Sequence, residues 1–326
     1  MIERRMFDKD DSFTLRGLCI LIIIIKHLVL FYSERYGMSL PRWGIELRDV
    51  CFVFVGTFFI MSGYGIYHSV MRNRPINGHY WARRLLKLYI PFVFVVLVVS
   101  LLKQLFSHFE LKELWQSLIT LSLPTEELWF VKTIFVFYVV TCALLGYIRK
   151  PKIAIALITL LAILWMIIAY YKIGKMYYWW QTLWCFPAGL WFAHYHDKLK
   201  KWDKPVVWWS ILAIMIASYC VYYFFRTTHA PVPLKYALKP WVCNTLSLSF
   251  ALLFVKFIPK LGIRSRVINY CGRNSYLLYM GHVGLLQLFA PTTTMGVFTI
   301  LVVTIAFAIT AAYSWLDSLW LHKLTS

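Results

Sequence analysis

Charge is scarce in this chain. Asp, Glu, Lys and Arg make up 15% of its 326 residues, against about 25% in an ordinary soluble domain. Acid is scarcest of all: 14 Asp+Glu face 34 Lys+Arg. The seven cysteines form no CxxC pair and are scattered mostly through apolar runs. That argues against a disulfide framework or a zinc site and for small buried hydrophobes. No phosphate-binding glycine loop, HExxH or Gly-x-Ser-x-Gly elbow occurs, and no repeat of about 20–50 residues is visible. With 60% hydrophobic and 18% aromatic residues, no soluble fold of this length could hide its apolar surface. A cytosolic enzyme, a disordered chain and a secreted disulfide scaffold are excluded, and an integral membrane protein remains. The net charge of +20 then reads as basic loops beside anionic lipid headgroups, with no nucleic-acid partner.

What the sequence has is long apolar runs. A membrane-crossing helix takes about 20 mainly apolar residues. Ten stretches qualify: 14–33, 49–71, 88–108, 128–148, 153–171, 180–195, 205–225, 240–258, 275–290 and 296–318, the sixth and ninth being short. The runs are continuous rather than alternating, which selects helices over barrel strands. The first is expected to stay as a span, because Lys26 and His27 interrupt it and Phe31-Tyr32-Ser33-Glu34 is no signal-peptidase site. With the N-terminus inside, the inner segments hold 22 Lys+Arg and the outer ones 10, so the positive-inside rule predicts N-in and C-in. The expectation is an all-α polytopic membrane protein of about ten transmembrane helices. It is one transmembrane domain over 1–326, with no separate soluble domain, multi-pass in the cytoplasmic membrane.

Ionisable groups inside a bilayer are costly, so each is a candidate for function. Arg16 and His27 are eleven residues apart, three helical turns to within about 20°, so they share one face. His27 lies about 16 Å deeper, near the middle of a core about 30 Å thick. The alternative is a polar packing residue and a positive-inside anchor. Arg83, Arg84 and Lys87 share a face at the start of the third span, and guanidinium groups grip phosphate bidentately. A lipid-headgroup anchor is the other reading, and the preferred one for Arg72 and Arg74. Ser62 lies in a small-residue segment suited to close helix packing. Ser275, Tyr279 and His282 fall on one face of the ninth span. His194 and His196 flank Tyr195 but lack further ligands, so no metal is expected. Trp43, Trp115, Trp129 and the aromatics of 177–180 could stack on sugar or form an interfacial belt, and the belt is preferred.

Taken together, these pieces resemble acyltransferase family 3, membrane proteins that include O-acetyltransferases of bacterial surface carbohydrates. A basic residue, ten residues and a His are matched by Arg16 and His27. Phe59-Ile60-Met61-Ser62-Gly63-Tyr64 is similar to the family's second-span segment. Arg83-Arg84-Leu85-Leu86-Lys87 before Pro91 is similar to its basic motif, and Leu128-Trp129-Phe130 with Phe137-Tyr138 to its fourth-span segment. Gly272 to Tyr276, then Tyr279 and His282, look like its late Ser-Tyr-x-x-Tyr-x-x-His element. Two departures stand out: Lys87 replaces the second Arg of the basic motif, and the extra hydrolase-like domain of some members is missing.

The resemblance implies an acyltransferase moving an acetyl group from cytosolic acyl-CoA to a hydroxyl of a surface or lipid-linked carbohydrate. His27 and Arg16 would be catalytic. Arg83, Arg84 and Lys87 would bind the CoA phosphates, and Ser62, Trp129, Tyr276, Tyr279 and His282 are substrate or structural candidates. Acyl-CoA is a co-substrate, and no cofactor is permanently bound. The partners implied are acyl-CoA, a carbohydrate acceptor and the bilayer; a homodimer or a glycan-synthesis partner is compatible. No intramembrane carboxylate is placed to orient His27, which leaves a hydroxyl such as Ser62 or Tyr279. The rival function is a transporter exporting a glycan or small solute.

Overall fold

The computed structural model describes residues 9–106, 110–123, 128–173, 181–228, 232–263, 265–289 and 294–321. Among the described residues all regular structure is helical. The order is α1 (Lys9–Tyr36), α2 (Arg42–Val50), α3 (Phe52–Arg72), α4 (Gly78–Phe106), α5 (Leu111–Thr120), α6 (Trp129–Tyr147), α7 (Pro151–Ile173), α8 (Cys185–His194), α9 (His196–Lys200), α10 (Pro205–Thr227), α11 (Val232–Leu261), α12 (Arg266–Arg273), α13 (Ser275–Phe289) and α14 (Met295–Leu316), then a π-helical turn at Asp317–Leu321. The aromatics of 177–180 lie outside the described residues.

Eight helical stretches among the described residues are long and apolar enough to cross a membrane: α1, α2 with α3, α4, α6, α7, α10, α11 and α14. The chain is an all-α polytopic membrane protein. The runs expected as spans six and nine form α8 and α13, of 10 and 15 residues, short of the about 20 that a crossing needs. In α8, seven of the ten residues are buried, Cys185 to Leu190 without a break.

Local chemistry sets several boundaries. Acidic Asp10 and Asp11 occupy the first turn of α1 and Arg35 the last, each the favourable sign for the helix dipole. Asn77 caps α4: its Oδ1 accepts the Tyr80 N–H at 2.9 Å, one of the orphan donors of a helix start. That cap starts the helix ten residues before the expected apolar run, so Arg83, Arg84 and Lys87 lie within α4, as their expected shared face requires. Proline opens α10 at its first turn, where its missing N–H costs nothing. Pro91 sits inside α4 and leaves the Lys87 carbonyl without its usual i+4 donor.

The described chain divides into two compact units that interleave along the sequence. The first comprises Met1–Cys19, Val50–Pro75 and Val140–Asn269. Its centre is α3 against α8. A Cβ on Gly63 would lie 2.2 Å from the Phe186 carbonyl oxygen, and one on Gly189 would lie 2.1 Å from the Ile60 carbonyl oxygen. Each backbone fills the place of the other's missing side chain, the close approach that small residues permit in membranes. A Cβ on Gly56 would meet Ser247 of α11 at 2.5 Å. Arg74 donates to the carbonyls of Ile148 at 3.0 Å and Arg149 at 3.5 Å. The expected headgroup anchor therefore closes the carbonyl end of a helix.

The second unit comprises Ile20–Asp49, Ile76–Val139 and Tyr270–Ser326. Here α13 packs on α14 and α4. A Cβ on Gly284 would meet Val99 of α4 at 2.8 Å, and one on Gly281 would meet Ala306 of α14 at 3.7 Å. These contacts fix α13 on either side of His282. Between the third and fourth expected spans lies α5, whose Glu113 pairs with Lys103 at 2.7 Å.

Candidate active site

Eight of the ten candidate residues lie in the second unit: His27, Arg83, Arg84, Lys87, Trp129, Tyr276, Tyr279 and His282. Arg16 and Ser62 belong to the first. α1 runs unbroken through Arg16 and His27, so the three-turn spacing that puts them on one helix face holds.

The centre is a pair of imidazoles. His27 Nδ1 and His282 Nε2 are 2.9 Å apart, with ring centroids at 5.2 Å and planes 23° apart. His282 is fully buried, and His27 is half-buried. The other ring nitrogen of His282, Nδ1, is 2.7 Å from the Leu278 carbonyl oxygen one turn back.

Those two contacts determine the tautomers. A carbonyl oxygen only accepts, so the proton sits on His282 Nδ1 and is donated to Leu278. A neutral His282 then has a lone pair at Nε2. Nothing but a donor satisfies it, so His27 Nδ1–H donates to His282 Nε2. A neutral His27 is left with its lone pair at Nε2. A buried backbone carbonyl has thus been relayed through one imidazole to fix which nitrogen of a second imidazole is basic. The group seen on His27 Nδ1 is thus His282, a partner other than the Ser62 or Tyr279 hydroxyl that the sequence suggests. Two isolated imidazoles in a bilayer would each be expensive, and pairing lowers both costs.

Aromatic side chains hold the pair. Tyr279 meets His282 edge-on, with centroids at 5.8 Å, and Phe130 meets Tyr279 at 5.3 Å. Trp129 lies edge-on to Phe130 at 6.0 Å. Tyr276 donates its hydroxyl to the Leu88 carbonyl at 3.2 Å, three residues before Pro91, which ties α13 to α4 beside the proline break. Of Tyr276, Tyr279, Trp129 and Phe130, Tyr279 touches the pair directly, Phe130 packs on Tyr279 and Trp129 on Phe130.

On α4, Arg83 and Arg84 are half-buried and Lys87 is exposed. Arg84 Nε is buried and makes no hydrogen bond among the described residues. A guanidinium N–H in that state is costly unless something outside the chain accepts from it. The same helix thus carries cationic donors at its start and contacts the histidine-bearing helix further along.

No group of three or more His, Cys, Asp or Glu among the described residues is arranged to hold a metal. His194 and His196 each meet a tyrosine hydroxyl instead: His194 Nδ1 and Tyr67 at 2.7 Å, His196 Nδ1 and Tyr64 at 3.2 Å.

A helical membrane protein with a neutral base fixed in its interior and cationic donors on an adjoining helix has the parts for transferring a group between a soluble donor and another substrate. Comparison with known families agrees: the model of the acyltransferase domain, family Acyl_transf_3, matches residues 14–316, nearly the whole chain. The chain belongs to acyltransferase family 3 and is a membrane acyltransferase. No curated protein and no solved structure matches it.

Proposed function

We propose that this protein is an O-acetyltransferase of the cytoplasmic membrane, with both termini in the cytosol. It takes acetyl from acetyl-CoA and places it on a hydroxyl of a surface or lipid-linked carbohydrate. The observation that carries the reading is the Leu278–His282–His27 chain, which presents one basic nitrogen, His27 Nε2.

The chemistry follows from that nitrogen. His27 Nε2 takes the proton of the acceptor hydroxyl as its oxygen attacks the thioester carbon. The C–O bond forms, and the carbonyl becomes a tetrahedral oxyanion. As that collapses, the C–S bond breaks and the proton on Nε2 goes to the departing sulfur, giving ester and CoA thiol. In the transition state His27 carries positive charge, and its Nδ1–H bond to His282 becomes charge-assisted and stronger. His282 thus favours the transition state over the ground state, which is what accelerates a step.

Arg83, Arg84 and Lys87 are assigned the CoA phosphates, and the unpartnered Arg84 Nε is the support for this. Arg16 stays a catalytic candidate on the strength of its helical spacing from His27 along α1. The positive-inside count supports placing these residues on the cytosolic side, where acyl-CoA is made. Purified protein in proteoliposomes, given radiolabelled acetyl-CoA, is expected to release CoA and pass label to a glycan acceptor. Solute flux without CoA consumption would replace this reading with a carrier.

A further inference from the structure

The first unit contains a groove of about 480 Å³ along α8 and α9, within the about 300–1,000 Å³ of ligand-sized pockets. Its walls are aromatic: Trp184, Trp191, Phe192, Tyr195 and Trp202 line it, with Lys198 the one cation among its lining residues. The ten residues of α8 span about 15 Å, half of a core about 30 Å thick, the depth filled by the chains of one leaflet.

Charge is confined to one end. The ammonium groups of Lys152 and Lys198 lie 5.8 and 5.7 Å from the centroid of the Tyr195 ring, so two cations converge on one groove residue. Trp191 stacks on that ring with planes 9° apart, which holds it as a rigid floor. Segment 196–204 carries four lysines and two aspartates. One of the two, Asp203, is engaged by Lys256 and by the Trp208 indole, so it does not neutralise the rim. A basic mouth over an apolar, aromatic trough matches an amphiphile with an anionic head and a hydrocarbon tail.

We propose that this groove binds one anionic phospholipid, with its phosphate on Lys198 and Lys152 and one acyl chain along Trp191 and Trp184. The site is independent of the histidine pair and of the acyltransferase reading. A rigid aromatic trough loses little entropy on binding a chain, and the two ammonium groups select the headgroup.

The test is native mass spectrometry of the full chain in detergent, titrated with phosphatidylglycerol or phosphatidylcholine of identical chains. One phosphatidylglycerol is expected to be retained at least about tenfold more tightly than phosphatidylcholine. The double variant Lys152→Ala/Lys198→Ala should reduce phosphatidylglycerol to the phosphatidylcholine level. Leu248→Trp, which fills the groove, should weaken both lipids alike, and Lys112→Ala should change neither. Equal retention of the two lipids by the unaltered protein would overturn the proposal, as would indifference to both groove variants. Displacement of the lipid by excess acetyl-CoA would overturn it too, since the groove would then belong to the donor. A protein that transfers acyl groups without a lipid preference refutes this site alone. One that keeps the lipid but transfers nothing refutes the acyltransferase mechanism alone.

Discussion

Replacing His282 by Leu removes the acceptor for His27 Nδ1–H and leaves the His27 ring free to choose its tautomer. In the ground state the lost bond is neutral, 2.9 Å long, and worth about 0.5–1.5 kcal/mol net. In the transition state His27 is an imidazolium, and the same bond is worth about 1.5–3 kcal/mol. Only the difference, about 1–1.5 kcal/mol, enters kcat, and at 1.36 kcal/mol per tenfold in rate it corresponds to a loss of about 5–13-fold. The proposed acyl-CoA contacts are on α4, so the KM for that substrate should change little. His282→Gln puts an amide oxygen within reach of His27 Nδ1 and should recover most of the loss. The assay is CoA thiol release by purified protein, with thermal unfolding followed in parallel because His282 is fully buried. Full activity of His282→Leu would refute the relay. Equal loss in Gln and Leu, with folding intact, would show that the ring packs rather than accepts.

His27→Ala should lose at least about 10²-fold in turnover, the scale of a general base. In a His27→Leu background an imidazole at 26 or 28 should not restore activity, since each swings it about 100° around the helix; equal activity at either site would reduce His27 to a source of polarity. Arg83→Ala and Arg84→Ala should each raise KM for acyl-CoA by about 10–150-fold, the equivalent of 1.5–3 kcal/mol per charge-assisted bond, and leave acceptor KM unchanged; the reverse split would move the donor elsewhere. Cysteines engineered at Gly37 and Thr227 should be labelled from outside and those at Asn77 and Lys201 should not; the opposite pattern would put the proposed donor mouth where acyl-CoA is absent. The bond from Lys256, then that from Trp208, holds the Asp203 carboxyl below its ordinary range. Its stabilisation is present above the unfolded value of about 3.9 and fades as pH falls through the lower folded value. The pair is exposed, so Asp203→Asn should cost at most about 1 kcal/mol at neutral pH; a larger loss by thermal unfolding would give this pair a structural weight its exposure does not support.

Hydropathy alone located the eight long spans, because lipid-facing and protein-facing helices are both apolar over their whole length. At α8 and α13 the apolar runs give helices of only 10 and 15 residues, so hydropathy set their extent less sharply than that of the eight long ones. Helical periodicity put Arg16 and His27 on one face, since that is a fact of a single helix. The partner of His27 was not legible. It stands 255 positions away, and no local pattern links α1 to α13. The available clue was energetic: each imidazole was an expensive singleton, and their pairing would have answered both. The Gly63–Gly189 contact was hidden for the same reason. Either glycine reads as ordinary small-residue packing until the opposing carbonyl is seen 2.1–2.2 Å from its missing Cβ. The Asn77 cap was open to view beside the basic cluster, but the apolar run began later and drew the boundary with it.

The central claim is that His27 Nε2 accepts the proton of an acceptor hydroxyl during acyl transfer from acyl-CoA. Its most direct test is single-turnover transfer from radiolabelled acetyl-CoA to glycan in proteoliposomes, comparing the unaltered protein with His27→Ala at matched membrane content. Label on the glycan and stoichiometric CoA thiol are expected from the first, and both reduced at least about 10²-fold in the second. Transfer by His27→Ala at the unaltered rate would contradict it.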